Sequence, residues 1–537
     1  MQPYLLSFLI FTPLVAALAA VFIPAGAVKS FRWLALLVSV LQVFVLLQLL
    51  VAYNPAGGLQ QVEQQPWIVI SLGAWGVFRA EYFVGVDGLS LPLVALSVFI
   101  LLIATISSWQ TTRQAKGYYI LLLVLNAAII GSFVALDFLL FYLFFEFMLL
   151  PMFFLIAIWG GPRREYASIK FFLYTLLGSV LILIVMIGLY ISVHDPSSPG
   201  GLVHTFNLLH MADPSNIVSH AIFDPHNVWR LGRLDARQWA FLLLFFGFAI
   251  KLPMVPLHTW LPDAHVEAPT PMSVLLAALL LKIGGYGLAR IALPIFPDAA
   301  LYFSSFIGIM GVISIVYGSL NAMASKDLKR LIAYSSVAHM GFVLLGLAAV
   351  TPEGVSGAMY QMFSHGIISA MLFLVAGVVY DRTHDRTISH YSGLSSRMPA
   401  YTAMVLVSFF ASMGLPGFSG FIAEILIFLG AFKSASTNGL LHESLAIIAT
   451  SGLVFGAAYY LWTLQRMFFG PFDLKGGIQP EQITDLTLRE YIQLAPLALA
   501  ALAFGIWPQP VLSIIDPFAQ QFCEHVLTVG KSVTFKL

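Results

Sequence analysis

An all-α polytopic membrane fold of about 14 transmembrane helices follows from three features of the sequence. Hydrophobic residues make up 59% of the 537 positions and charged residues only 9%, whereas a soluble domain carries about a quarter of its residues charged. Apolar runs near the roughly 20 residues that cross a bilayer recur along the whole chain. Lysine and arginine outside those runs are unevenly shared between alternate connections.

The spans are expected near 4–22, 31–52, 89–108, 118–135, 137–159, 167–192, 239–261, 271–293, 300–321, 329–349, 357–380, 401–430, 446–468 and 490–514. The first lacks a basic leading segment and reads as a span, not a cleaved signal. The polar stretches 53–82, 194–237 and 469–489 read as loops. The second is rich in His, Pro and Asp, but its histidines have no ligand spacing, so an extramembrane loop is expected and no metal site. A single cysteine, Cys523, excludes a disulfide framework and multi-cysteine clusters. No glycine-rich nucleotide loop occurs, and a net charge of +1 points to no nucleic-acid partner.

Sixteen of the 26 lysines and arginines fall in odd-numbered connections and eight in even connections and the C-terminus. The positive-inside rule then places both termini on the outer, periplasm-like side.

Two basic residues remain, Lys251 and Lys282, both in mid-span. Among the acids, Glu146 (LFFEFML) and Glu424 (FIAEILIF) are equally stranded, with Asp137 at a span edge. Each charge at the bilayer centre costs roughly 2.5–3.5 kcal/mol on insertion scales. Structural ion pairs are one explanation; four such charges together favour an ion pathway. Desolvation loosens a lysine's proton and a nearby glutamate tightens it, so a Glu–Lys pair of changing separation is a proton switch that needs no cofactor. His339 (SSVAHMGF) and His365 (QMFSHGII) are relay candidates, because neutral imidazole can accept a proton at one nitrogen and donate at the other. His258 and His265 lie beside prolines at the membrane edge, where a structural role and proton entry are equally open.

Pro253 and Pro256 follow Lys251 in AIKLPMVPLHTWLPDAHVEAPTP and should break the seventh span. A break at membrane depth is tolerated only where it lines a cavity or is buried in protein. The twelfth span is interrupted likewise by Gly414, Pro416, Gly417 and Gly420 ahead of Glu424. Two such breaks in corresponding places point to inverted repeats. The expected division is 1–117 (spans 1–3), 118–296 (first repeat, spans 4–8), 297–470 (second repeat, spans 9–13) and 471–537 (span 14 and tail). Asp263 and Glu267 are read as capping groups in the turn after the break.

The segment from Lys251 to Arg290, with ASKDLKRLIAYSSVAHMGFV, FFEFMLLPMFFLIAIWGG and GLPGFSGFIAE, resembles the antiporter-like subunits of respiratory complex I over roughly residues 85 to 470. A glutamate at 424, where sister chains carry lysine, is similar to the chain M branch, called subunit 4 in mitochondria. No long lateral helix of the kind found in the longest sister chain is expected after the last span. The resemblance implies a proton-pumping subunit driven by electron transfer from NADH to quinone elsewhere in the complex. It implies no cofactor on this chain, with FMN and iron–sulfur clusters on partner subunits. The implied partners are other membrane-arm subunits, two related antiporter-like chains among them, and the lipid bilayer. The implied location is the bacterial cytoplasmic membrane, with mitochondrial or thylakoid membranes as alternatives. Glu146, Lys251, Lys282 and Glu424 match the family's proton-path positions, and His339 and His365 its central polar axis. Two other readings stand beside this one, a subunit of a multisubunit sodium/proton antiporter and a structural membrane scaffold without proton transfer.

Overall fold

The computed structural model describes residues 4–71, 77–196, 203–227 and 229–534; Lys536, counted above, lies outside them. Among the described residues, 12 helices are long and apolar enough to cross a membrane, and a bent pair, Leu488–Ile506 with Gln509–Val533, makes 13. The expected seventh span supplies the difference from 14. Its helix, Ala236–Lys251, stops after 16 residues, and the chain resumes as the short helix Trp260–Glu267. The twelfth span is also broken as expected, into Pro399–Ser412 and Ser419–Thr437. The chain is an integral membrane protein.

Burial sorts the spans into a centre and a rim. The most apolar 18-residue stretches of Thr270–Ile295 and Pro352–Thr383 are wholly buried and that of Leu328–Ala349 is 94% buried, whereas Val28–Ala52 and Glu443–Phe468 reach 33%. Close approach explains the centre. A Cβ on Gly284 would lie 2.6 Å from the Leu252 nitrogen, and one on Gly311 would lie 2.8 Å from the Gly341 carbonyl oxygen. Small residues let backbones meet, the usual means of helix packing in lipid.

Two elements depart from an all-α reading with a loop at 53–82 and a plain tail. Gln60–Ser71 and Val77–Val86 pair as an antiparallel ribbon, with Ile68 opposite Ala80 and Val69 opposite Arg79. The β-branched and aromatic residues of WIVIS and EYFVGV favour a pleated, half-buried surface. The ribbon also serves the first span: the buried Glu63 carboxylate accepts from the Leu6 nitrogen at 2.9 Å and so satisfies a free helix-start N–H. The tail is a helix, Gln509–Thr534, bent 63° from the last span. Ile515, Ala519, Phe522 and Val526 line its buried stripe, a spacing of three to four that gives an amphipathic helix. It lies over the ends of the third, eighth and eleventh spans. Asp516 accepts from Ser356 Oγ at 2.7 Å, and His525 Nε2 lies 3.0 Å from the Pro294 carbonyl oxygen.

Candidate functional site

The helix Ala236–Lys251 ends on its lysine, where its free carbonyls favour a cation. The break that follows is satisfied locally. Trp260 Nε1 donates to the Ile250 carbonyl at 2.8 Å, and the Val255 nitrogen donates to Ser314 Oγ at 3.1 Å. Lys251 is buried; its Nζ donates to the Phe145 carbonyl at 3.1 Å and stands 3.3 Å from the centroid of the Phe145 ring. That aromatic face attracts a cation.

Glu146 is the next residue after Phe145 and only half-buried. It lies near the end of Phe138–Phe147, just before the helix is interrupted at Met148. Its charge acts on Lys251, yet no ion pair within 4 Å joins the two among the described residues. The expected Glu–Lys pair is an electrostatic neighbourhood without a direct bond. Asp137 caps this helix, accepting from the Leu140 nitrogen at 3.0 Å.

The other charges form a row. Lys282 is 0% exposed. Its Nζ donates to the Ala277 carbonyl at 2.5 Å and lies 2.7 Å from His365 Nδ1. The eighth span has π-helical turns at Leu276–Leu280 and Leu288–Ala292, and Ala277 lies in the first. A π turn loosens the regular carbonyl ladder and is common at functional sites. The second π turn carries Arg290, whose Nη2 donates to Asp87 at 2.6 Å. Burial by itself would raise the Asp87 carboxyl, but Arg290 and the N–H groups of Leu89 and Ser90 hold it below its ordinary value.

His365 and His339 lie with ring centroids 5.2 Å apart. His339 Nδ1 is 3.6 Å from Glu424 Oε1 and 3.2 Å from Gln361 Nε2, and its Nε2 is 3.2 Å from Ser412 Oγ. Ser412 Oγ lies 2.8 Å from the Tyr460 hydroxyl, which donates to Ser335 Oγ at 3.0 Å. Gly414, with a φ of +69°, sits against Glu424: a Cβ there would lie 2.1 Å from Oε2. The eighth, eleventh, tenth and twelfth spans thus bring Lys282, His365, His339 and Glu424 into one buried sequence of polar groups.

Other expected residues lie apart from it. His258 is buried in the seventh-span break, its ring 5.3 Å from that of Tyr317. Asp263 pairs with Lys170 at 2.7 Å and Arg330 at 3.5 Å, so its role is an ion pair, not a cap. Glu267 does satisfy a helix start, that of Arg164–Ser192, by accepting from the Arg163 nitrogen at 2.9 Å.

The structure adds two groups that hydropathy did not single out. Lys329, one of the sixteen basic residues counted with the odd-numbered connections, is 4% exposed, with its Nζ donating to the Ala268 carbonyl at 2.6 Å. His265, left open at the membrane edge, is fully buried. The signal for Lys329 was the cap. Asp327 accepts from the Arg330 nitrogen and so starts the helix, and Lys329 then shares a face with buried Ser336, seven residues on.

Comparison with known proteins follows the same outline. The profile described as NADH:quinone oxidoreductase/Mrp antiporter, TM, matches residues 135–450, and that described as NADH-ubiquinone oxidoreductase chain 4, amino terminus, matches 66–132. The chain belongs to this family. NADH-quinone oxidoreductase subunit M of Rhodobacter capsulatus is 44% identical, over 97% of this chain and 96% of the relative. The subunit of the same name from Rickettsia conorii is 38% identical, over 95% and 97%. Among solved structures, respiratory complex I from Thermus thermophilus with bound NADH contains a chain that matches with a TM-score of 0.80 at 28% identity, covering 97% of this chain and 99% of that one. A chain of the Mrp complex from a Dietzia species shares the fold, with a TM-score of 0.79 at 20% identity over 98% and 99%. The antiporter-like family is therefore matched along nearly the whole chain, both broken spans included.

Proposed function

We propose that this chain is the proton-translocating membrane-arm subunit of an NADH:quinone oxidoreductase, moving protons through its buried Glu, Lys and His side chains while quinone is reduced elsewhere in the complex. The observation that carries the reading is the buried sequence Lys282–His365–His339–Glu424, which crosses four spans with contacts of 2.7 Å from Lys282 to His365 and 3.6 Å from His339 to Glu424. Ionisable groups inside a membrane are costly and mark ion pathways; imidazoles can pass a proton from one ring nitrogen to the other.

In this reading Lys251 is the switching charge. It rests on the Phe145 carbonyl and ring and moves toward or away from Glu146 as the neighbouring subunits change state. Lys282 receives its proton, the two histidines pass it on, and Glu424 ends the internal path. His258 stands beside the switch without a place in the row. The chain holds no cofactor of its own, and FMN and iron–sulfur clusters belong to partner subunits. The partners are the other membrane-arm subunits, two related antiporter-like chains among them. The membrane is the bacterial cytoplasmic one, with both termini on the periplasmic side. Residues 118–296 and 297–470 act as inverted repeats, each contributing one broken span, between 1–117 and 471–537.

The test is NADH-driven proton uptake into membrane vesicles bearing Glu146→Gln, with quinone reduction and complex assembly measured on the same sample. Loss of both pumping and electron transfer in assembled complex supports the coupled switch. A normal proton-to-electron ratio in assembled complex refutes it.

A further inference from the structure

Lys329 is placed where stability arguments would not put it. It is the second residue of Leu328–Ala349, at the end of the helix dipole that repels cations, and it is almost fully buried. Its only hydrogen bond among the described residues goes to the Ala268 carbonyl. The charges that act on it are Arg386, Asp327, Asp381 and Glu267, none of them within ion-pair distance among the described residues.

Beside it opens a cavity of about 410 Å³ on the face where the odd-numbered connections gather. Lys329, Glu267, Asp381, Arg386, Arg489 and Glu490 line it. A charged, hydratable space therefore reaches a buried amine.

Three residues before Ala268, which accepts the Lys329 bond, stands His265; Ser273 Oγ donates to the carbonyls of both His265 and Ala268, at 3.2 and 3.4 Å. The His265 ring is stacked on Phe373, with centroids 4.3 Å apart, and neither ring nitrogen has a hydrogen-bond partner among the described residues. A buried structural histidine is normally bonded at one nitrogen or both; two free nitrogens leave this one able to accept on one side and donate on the other. Both Lys329 and Lys282 lie within electrostatic reach of His265, and His265 within reach of His365. It therefore stands in the fields of both lysines.

We propose that Lys329 and His265 form a loading branch, in which a proton from the cavity is taken up by the Lys329 amine, passed to one ring nitrogen of His265, and released from the other to Lys282. No direct hydrogen bond joins His265 to either lysine among the described residues, so each hop runs through an intervening water. One proton enters and one leaves at every step, and no other reactant is consumed. The branch rests on the proposed function and adds its loading step.

The experiment uses the intact complex in vesicles and compares Lys329→Arg, Lys329→Met and His265→Gln, reading the proton-to-electron ratio with assembly and quinone reduction as controls. Arginine keeps the charge and the bond to Ala268 but does not give up its proton in a protein. A lysine needed only for its charge and that bond leaves the ratio normal in arginine-substituted complex that assembles. The expected result is that both Lys329 variants and His265→Gln assemble and lower the ratio at least about twofold, the arginine variant as severely as the methionine one. A normal ratio in Lys329→Arg overturns the branch. If Lys329→Met fails to assemble, the arginine and His265 variants still decide it. Glu424→Gln measured alongside separates the two levels. Loss there with normal Lys329→Arg removes only the loading branch, whereas a normal ratio in Glu424→Gln and in all the branch variants removes the proton path as well.

Discussion

The two broken spans solve one physical problem in opposite ways. At the seventh-span break the stranded charge is Lys251, held by one carbonyl and one aromatic face, with Glu146 near but unbonded. At the twelfth-span break the stranded charge is Glu424, beside His339, which is itself held by Gln361 and Ser412, with Tyr460 and Ser335 behind. The first arrangement leaves a charge free to change partner. The second places it in a network that fixes geometry. Under the proposed function the first is a switch and the second a wire, and those two tasks need different surroundings.

The contrast is most exposed to Lys251→Met. As Lys251 is the switching charge of the proposed path, pumping by assembled complex should fall about tenfold or more, a barrier change of roughly 1.4 kcal/mol or above. A variant that pumps at over half the normal rate would end the distinction. Glu424→Gln should act less severely, by about three- to fivefold, because Gln361 and Ser412 still orient the His339 ring on the proposed path. A loss as deep as that of Lys251→Met would mean that the second break switches too.

Gly414→Ala probes the packing of the wire. Its Cβ would meet Glu424 Oε2, and its positive φ strains any L side chain, so it should cost about 1–3 kcal/mol, visible as earlier thermal inactivation of the detergent-solubilised complex. Trp260→Phe probes the other break by leaving the Ile250 carbonyl without its 2.8 Å donor. That should cost about 1 kcal/mol and raise amide exchange around residues 248–252. Unchanged exchange there would show that the break is held by other means.

The smallest effect concerns pH, on the face that carries the cavity beside Lys329. Burial is the largest single influence on the Asp385 carboxyl and raises it, but the bonds from His390 and the Thr387 nitrogen together outweigh it and hold the group below its ordinary value of 3.8. A depressed carboxylate contributes stability above its unfolded pKa and loses it as pH falls through the folded one. Amide exchange of 385–392 should therefore rise only below about pH 4, the ordinary range for an aspartate. Asp385→Asn should remove that pH dependence.

How much was legible in advance depended on the kind of signal. Lys251, Lys282, Glu146 and Glu424 stood out because a charge within an apolar run is conspicuous at any depth. The breaks stood out because proline and glycine act on their own backbone. Lys329 did not, since it sits at a span end between Lys326 and Arg330, where charges are ordinary and only the helix rotation set by Asp327 turns it inward. The tail helix was hidden for a related reason: its stripe of Ile515, Ala519, Phe522 and Val526 is too interspersed with polar residues to resemble a span.

By itself, the sequence determined the membrane class, the two interruptions, the four stranded charges and the family, all properties of local composition or of contiguous motif. Only the tertiary structure decided that His365 meets Lys282 across 83 residues and His339 meets Glu424 across 85, that Lys251 faces Phe145 in place of a bonded Glu146, and that Lys329 lines an open cavity while His265 is fully buried. Those pairings depend on the rotation of each helix about its axis. Close packing of glycines against neighbouring backbones sets that rotation, and hydropathy along a chain does not record it.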